Sequence, residues 1–311
     1  MRPLAALLAV SLLASFAAPA AAQLIPEDAA PEKVANGYQF TEGPAAGPDG
    51  CIYFTDIPAE LILKYDPATG ETETVVEESG AANGLMWDTR IDDVLIACRH
   101  RGRDVAAYYN DLSQLSPGVE QHEDDRLNSP NDLDLDQEGN VYFTDPRYGN
   151  RDSMEMDIEG VYFVSRDPDT DQVDRMVRII DDLTRPNGIV LSPDESILYV
   201  ADNGTNEIFA YDITAPGEIE NKRLFARLNE GRGGGPDGMC VDAQGRLYAA
   251  GQGRVWVYNP DGSAAGSINV GSACTNCTFA ADGKTLYITA NRGLYRIELE
   301  TETALPVEED E

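Results

Sequence analysis

Short apolar runs alternating with polar residues, separated by Gly, Pro and Asp turns, recur along almost the whole chain, and almost no stretch keeps a helical period. In the clearest instance, Glu42 to Gly47 predicts a first strand, Pro48-Asp49-Gly50 a turn, and Cys51 to Thr55 a second strand with Ile52 and Phe54 on one face. Leu61 to Tyr65 then predicts a third strand, Pro67-Ala68-Thr69-Gly70 a turn, and Glu71 to Val76 an outer strand. The same grammar carries Leu133 into Val141–Asp145, Ile189 into Ile197–Asp202, Met239 into Leu247–Ala249, and Thr278 into Leu286–Ile288.

Each unit opens on a short oxygen-bearing residue: Glu42-Gly43, Asn83-Gly84, Asn131-Asp132, Asn187-Gly188, Asp237-Gly238 and Asn276-Cys277. The intervals of 41, 48, 56, 50 and 39 residues fall in the range of propeller blades. The expected fold is therefore all-β: a six-bladed β-propeller with four antiparallel strands per blade. Equivalent positions of the blades lie on a ring around one axis, so six Glu, Asn and Asp side chains are expected to converge there. An oxygen ring without His or Cys suits a hard cation, calcium best, which places a metal site on the central axis.

The first 22 residues read as an export signal, with Arg2, an apolar core from Leu4 to Phe16, and an A-x-A site before Gln23. The apolar run is too short for a membrane span. Cleavage after Ala22 is expected, giving a periplasmic or secreted protein. Residues 23–31 are expected to be flexible, 32–300 to form the propeller, and 301–311 to be an acidic tail. Lys33 to Gln39 is placed to add an outer strand to the last blade and so close the ring. Long inserts at 101–127 and 147–159 are candidates for the rim over the site. A net charge of −32, from 55 acidic and 23 basic residues, excludes nucleic acid as a partner. A monomer is favoured.

Few residues offer conventional chemistry. Two histidines, His100 and His122, and the lack of a G-x-S-x-G elbow leave no basis for a catalytic triad or a His-based zinc site. Among five cysteines, Cys51, Cys98 and Cys240 read as small buried hydrophobes, while Cys274 and Cys277 have C-x-x-C spacing without the helix start of a redox motif. A local disulfide of that pair in an oxidising compartment stays open. Asn83 and Asn276 have a bland use in turn chemistry. Glu42 and Asp237 are harder to set aside, because carboxylates facing a channel are costly without a counter-charge. The repeated Asp56, Asp145 and Asp202 after the second strands read as structural turn caps.

Glu42-Gly43-Pro44 with Tyr53-Phe54-Thr55-Asp56, Asn131-Asp132-Leu133 after Arg126-Leu127-Asn128-Ser129-Pro130, Tyr142-Phe143-Thr144-Asp145-Pro146, Pro186-Asn187-Gly188, and Pro236-Asp237-Gly238-Met239 together resemble the gluconolactonase/regucalcin (SMP-30/gluconolactonase/LRE-like) family. The resemblance runs from about Glu42 to Glu298. It implies a six-bladed propeller with one catalytic divalent cation, usually calcium, and hydrolysis of sugar lactones such as glucono-1,5-lactone. By motif, Glu42, Asn187 and Asp237 match metal ligands, Asn131 matches a residue touching substrate and in some members the metal, and Asp237 matches the acid/base. Ser129 stands where sugar-binding relatives carry an Arg. Arg99, His100, Arg126 and Tyr148 are the remaining candidates for contacts to substrate. The reading is a calcium-dependent lactonase taking a small-molecule sugar lactone. Its alternatives are a non-catalytic propeller stapled by metal, and an esterase or phosphotriesterase on the same calcium.

Overall fold

Each blade starts at the axis with a strand that carries the ring position near its beginning, or in blade 3 just before it, and three antiparallel strands follow outward. The computed structural model describes residues 24–26, 30–90, 93–109, 111–167, 172–228 and 234–301. Six four-stranded sheets are present. Blade 1 comprises Thr41–Ala46, Ile52–Asp56, Leu61–Asp66 and Glu71–Val76; blade 2 comprises Ala82–Asp88, Val94–Arg99, Asp104–Tyr109 and Gln114–Val119. Blade 3 comprises Leu133–Leu135, Val141–Asp145, Gly160–Arg166 and Val173–Ile180. Blade 4 comprises Pro186–Leu191, Ile197–Asp202, Glu207–Ala215 and Glu218–Arg227. Blade 5 comprises Pro236–Val241, Leu247–Gly251, Arg254–Tyr258 and Ala264–Asn269; blade 6 has Cys274–Phe279, Thr285–Ala290 and Gly293–Glu298. The fourth strand of blade 6 is Glu32–Asn36, antiparallel to Gly293–Glu298. Pairing the first strand of the chain with the last blade hides an edge and closes the ring.

Apolar faces of adjacent blades interdigitate to form the core. Phe143 and Tyr162 of blade 3 pack with Ile96 and Val105 of blade 2, and Tyr199 of blade 4 with Met239 and Leu247 of blade 5. Among the described residues the sole helical element is a short 3-10 turn, Ile57–Ala59, and no helix is long and apolar enough to cross a membrane.

Two expectations meet a different outcome. The stretch 101–127 is not a long loop: it holds the two outer strands of blade 2 and a small hairpin, Gln121–His122 with Asp125–Arg126. The alternation there is blurred by Ala106-Ala107 and Pro117, which hid the strands. Leu24 and Ile25 fall in the segment read as flexible, yet they pack on the blade 5–blade 6 core, and Leu24 accepts a hydrogen bond from the Glu300 amide at 3.0 Å. An apolar pair finds an apolar seam there. Of the pair left open, Cys277 Sγ lies 3.4 Å from Cys240 Sγ of the neighbouring blade, and all five cysteines are free. The export signal and the acidic residues of the tail lie outside the described residues.

Candidate metal and catalytic site

The ring residues owe their direction to a local irregularity. In five blades the pairing of the innermost strand shifts register at the ring position: Glu42/Ala45, Ala82/Leu85, Pro186/Ile189, Pro236/Met239 and Cys274/Asn276. A bulge bends the strand and re-aims a side chain that would otherwise alternate between sheet faces.

The recurring Tyr-Phe-Thr-Asp motif fixes this arrangement from behind. Thr55 Oγ1 donates to the Asn83 carbonyl of the next blade at 3.2 Å, and Thr144 Oγ1 to the Asn187 carbonyl at 2.7 Å. The Asp that follows anchors its own blade. Asp56 accepts from the Gln39 and Phe40 amides, Asp145 from Asn128 and Ser129, and Asp202 from Thr184 and Arg185, all at 2.7–3.0 Å. In each case the donors sit three and two residues before the ring residue. The structural reading of these aspartates therefore stands on their bonds.

Close approach at the axis dictates the residue after the ring position. A Cβ on Gly84 would meet Asp132 Oδ1 at 2.6 Å, and one on Gly238 would meet the Asn276 side chain at 1.9 Å. Blade 6 carries Cys277 there, and blade 3 carries Asp132. Its carboxylate lies within the ring, accepting from Asn276 Nδ2 at 3.1 Å and from the Leu133 amide at 3.1 Å.

Glu42, Asn83, Asn131, Asn187 and Asn276 are buried, whereas Asp237 keeps partial exposure. Glu42 Oε2 accepts from the Gly43 amide at 3.0 Å. Asn187 Nδ2 donates to the Tyr148 hydroxyl at 2.7 Å. The Asn131 side-chain amide has no hydrogen-bond partner among the described residues. Asn83 Nδ2 lies 3.1 Å from His100 Nε2. Burial, with a smaller contribution from Arg147, pushes His100 down to about 4, so its imidazole is neutral near pH 7.

The electrostatics of the ring point one way. Burial and then the Asp237 charge hold the Glu42 carboxyl well above the usual range, with Asp132 adding to this. Burial and then the Asp132 charge raise Asp237, against a hydrogen bond from Asn187. Burial pushes Asp132 up to about 7. Tyr148 is raised by burial and then by the Asp237 charge, with Glu42 adding to this. No Lys or Arg is hydrogen-bonded or ion-paired to Glu42, Asp132 or Asp237 among the described residues. Three acidic groups with no basic partner are deficient in positive charge, and amide oxygens stand between them. Among the described residues no three His, Cys, Asp or Glu side chains form a closed metal cluster. Carboxylates alternating with Asn side chains around one axis are oxygen chemistry of the kind that suits a hard divalent cation.

The structure brings Glu42, Asn187, Asp237, Tyr148 and Asp132 together, with His100 next to Asn83. Arg99 and Arg126 are engaged elsewhere. Arg99 pairs with the buried Asp104, Nε to Oδ1 at 2.7 Å, and Arg126 Nη2 donates to the Gly102 carbonyl at 3.1 Å. Both serve the turn around Gly102 and blade 2. Sequence reasoning did not single out Asp132, which meets the ring residue Asn276, or Arg185, which stands over the Tyr148 ring. The signal for Asp132 was an Asp where four blades have Gly; for Arg185 it was its place two residues before Asn187.

Fold and ring together define an axial-site propeller whose first strand closes the last blade. The SMP-30/Gluconolactonase/LRE-like region matches residues 40–292, and the chain belongs to that family. It is 32% identical over 298 residues to a gluconolactonase of Zymomonas mobilis, covering 87% of this chain and 81% of that protein. It is 26% identical over 296 residues to the diisopropyl-fluorophosphatase of Loligo vulgaris, covering 86% and 91%. The solved structure of a Xanthomonas campestris gluconolactonase superposes with a TM-score of 0.81 at 30% identity, covering 91% and 93%.

Proposed function

We propose that this protein is a calcium-dependent hydrolase that opens sugar lactones such as glucono-1,5-lactone, acting in the periplasm or outside the cell after cleavage following Ala22. The coarse class, a lactone-hydrolysing propeller enzyme, rests on its gluconolactonase relatives. The finer reading rests on one observation: Glu42 and Asp237, from blades 1 and 5, share an axial site with no basic side chain to balance them.

Glu42, Asn131, Asn187 and Asp237 would hold the cation. Once bound, it would supply Lewis-acid polarisation of the lactone carbonyl and stabilise negative charge on that oxygen. Asp237 takes the proton of the attacking water and returns it to the ring oxygen as the ester bond breaks, and its partial exposure gives both groups access to it. Tyr148 keeps the Asn187 amide turned by accepting its Nδ2 hydrogen, which leaves Oδ1 for the site. Asp132 and Asn276 fasten the floor between blades 3 and 6.

A pH-indicator screen of the purified protein against aldonolactones, with and without chelator, tests this reading. Lactone-dependent acid release that chelation abolishes and calcium restores is expected. Full activity in excess chelator would contradict it. The fluorophosphatase relative gives a phosphotriester panel a place in the same screen.

A further inference from the structure

Many arginines of this acidic protein are matched to carboxylates, among them Arg90 and Arg166 to Asp88, Arg99 to Asp104, Arg103 to Glu155, and Arg246 to Asp242. Arg185 is not. It lies two residues before Asn187, and among the described residues its guanidinium has no hydrogen-bond or ion-pair partner, although its Nε is buried. The guanidinium carbon stands over the Tyr148 ring, 5.2 Å from its centroid. The other edge of that same ring meets Asn187. Arg185 and the ring residue Asn187 thus both contact Tyr148, one at its ring and one at its hydroxyl. Beside Tyr148 in the chain, Arg147 spends its guanidinium on neutral acceptors, the carbonyls of Asn128 at 2.7 Å and Asn150 at 2.8 Å and the Ser153 hydroxyl. Among the described residues neither guanidinium is hydrogen-bonded or ion-paired to a carboxylate, although the Arg147 charge acts on the buried Asp145, and the ring beside them carries three acids.

We propose that Arg185, seated on Tyr148, forms a subsite for an anionic group on the substrate, a carboxylate or phosphate carried on the lactone outside its reacting carbonyl. The inference rests on the lactonase reading and names its substrate class: acidic lactones rather than neutral ones. The chemistry is direct. A guanidinium donates two parallel hydrogen bonds to a carboxylate or phosphate, and stacking on an aromatic face holds it flat for this. A buried Nε without an acceptor is costly, so the side chain is not held there for its own stability. An acidic substituent would otherwise be repelled by Glu42, Asp132 and Asp237; Arg185 supplies the compensation on the side of the site away from the cation. In a six-carbon 1,5-lactone C6 is carried on C5, which the ring oxygen joins to the carbonyl carbon, so an anionic group there lies on the leaving-group side of the ester bond, outside the reacting carbonyl itself.

The test compares kcat/KM for D-glucono-1,5-lactone, its 6-phosphate and a glucaric acid lactone at fixed saturating calcium, in wild type, Arg185→Gln and Arg185→Lys. Wild type is expected to favour at least one anionic lactone over the neutral one. Loss of a charge-assisted pair is expected to reduce that preference by about 10–100-fold in Arg185→Gln, through KM rather than kcat, with part recovered in Arg185→Lys. Which anionic lactone gains shows whether the subsite takes carboxylate or phosphate. A wild type that favours the neutral lactone overturns the inference. So does an Arg185→Gln protein that loses all three substrates equally, since Arg185 then only seats Tyr148. Calorimetric binding of glucarate, 6-phosphogluconate and gluconate gives an independent reading. If no lactone is hydrolysed, the lactonase reading fails, yet tighter binding of a dianion that depends on Arg185 still upholds the subsite, and its absence removes it.

Discussion

Asp132 and Asn276 meet across the axis, from blades 3 and 6, which stand opposite in the ring: Asn276 Nδ2 donates to Asp132 Oδ2 at 3.1 Å. The bond ties the two sides of the propeller together and sets a third negative charge against Glu42 and Asp237. Asp132→Asn keeps an acceptor for Asn276 and removes that charge. Removing one buried negative charge beside the cation is expected to weaken calcium binding by about tenfold or more while the melting temperature of the metal-free protein holds or rises. Calcium titration calorimetry and thermal melts in chelator read the two effects separately.

Glu42 and Asn83 occupy equivalent positions in adjacent blades but have different neighbours. Glu42 faces Asp237 electrostatically, and Asn83 is paired with His100. Glu42→Gln is expected to weaken calcium binding far more than Asn83→Ala, with both proteins folded by circular dichroism. Equal losses would mean that the ring is a structural repeat with no graded role.

Thr144 acts on the site from the second strand of blade 3 through its bond to the Asn187 carbonyl. Thr144→Val keeps the shape and leaves that buried carbonyl unsatisfied, at about 1–3 kcal/mol. At roughly 2–4 °C per kcal/mol for a domain somewhat smaller than this one, Tm should fall by several degrees. Calcium affinity should fall as well, because Asn187 is a ligand in this account. A thermal shift without any change in affinity would confine Thr144 to the scaffold.

Buried acids give the metal-free protein an unusual pH dependence. Burial raises Asp132 and Asp134 from an ordinary 3.8 to about 7. Each folded-state value lies above the unfolded one, so the folded chain binds the proton more tightly. That stabilisation is complete below about pH 4 and is lost as pH rises through about 7. Between pH 5.5 and 8, where surface carboxylates are already charged, Tm in chelator should decline. The increase in Tm on adding calcium should grow over the same interval, since ionised donors bind it better. A metal-free Tm that rises over this window would contradict the raised values.

The blade grammar was legible because a two-residue period and Gly/Pro/Asp turns are local properties, and Cys51 to Thr55 and Leu61 to Tyr65 lie where they predict. The ring was legible because its residues recur at one place in each unit. Blade 2 was less so: Asp104–Tyr109 carries Ala106 and Ala107 in place of an alternating pattern. The cross-axis pairing of Asp132 with Asn276 joins residues 144 apart in the chain, and only the closed ring makes them neighbours. Arg99 illustrates the converse. It was a candidate for substrate contact in place of the Arg that Ser129 replaces, but its side chain is spent on Asp104 while His100 reaches Asn83.

Asp237 carries the central claim, as the partly exposed carboxylate of the ring assigned both to the cation and to the proton of water. Asp237→Asn retains a coordinating oxygen and cannot accept a proton. The decisive measurement is the turnover of glucono-1,5-lactone by this variant at saturating calcium, with metal occupancy confirmed by elemental analysis. General-base catalysis contributes about 10²–10⁴-fold, and a fall of that size in kcat with the metal still bound is expected. Wild-type turnover in the calcium-loaded variant would contradict the account and remove Asp237 as the base.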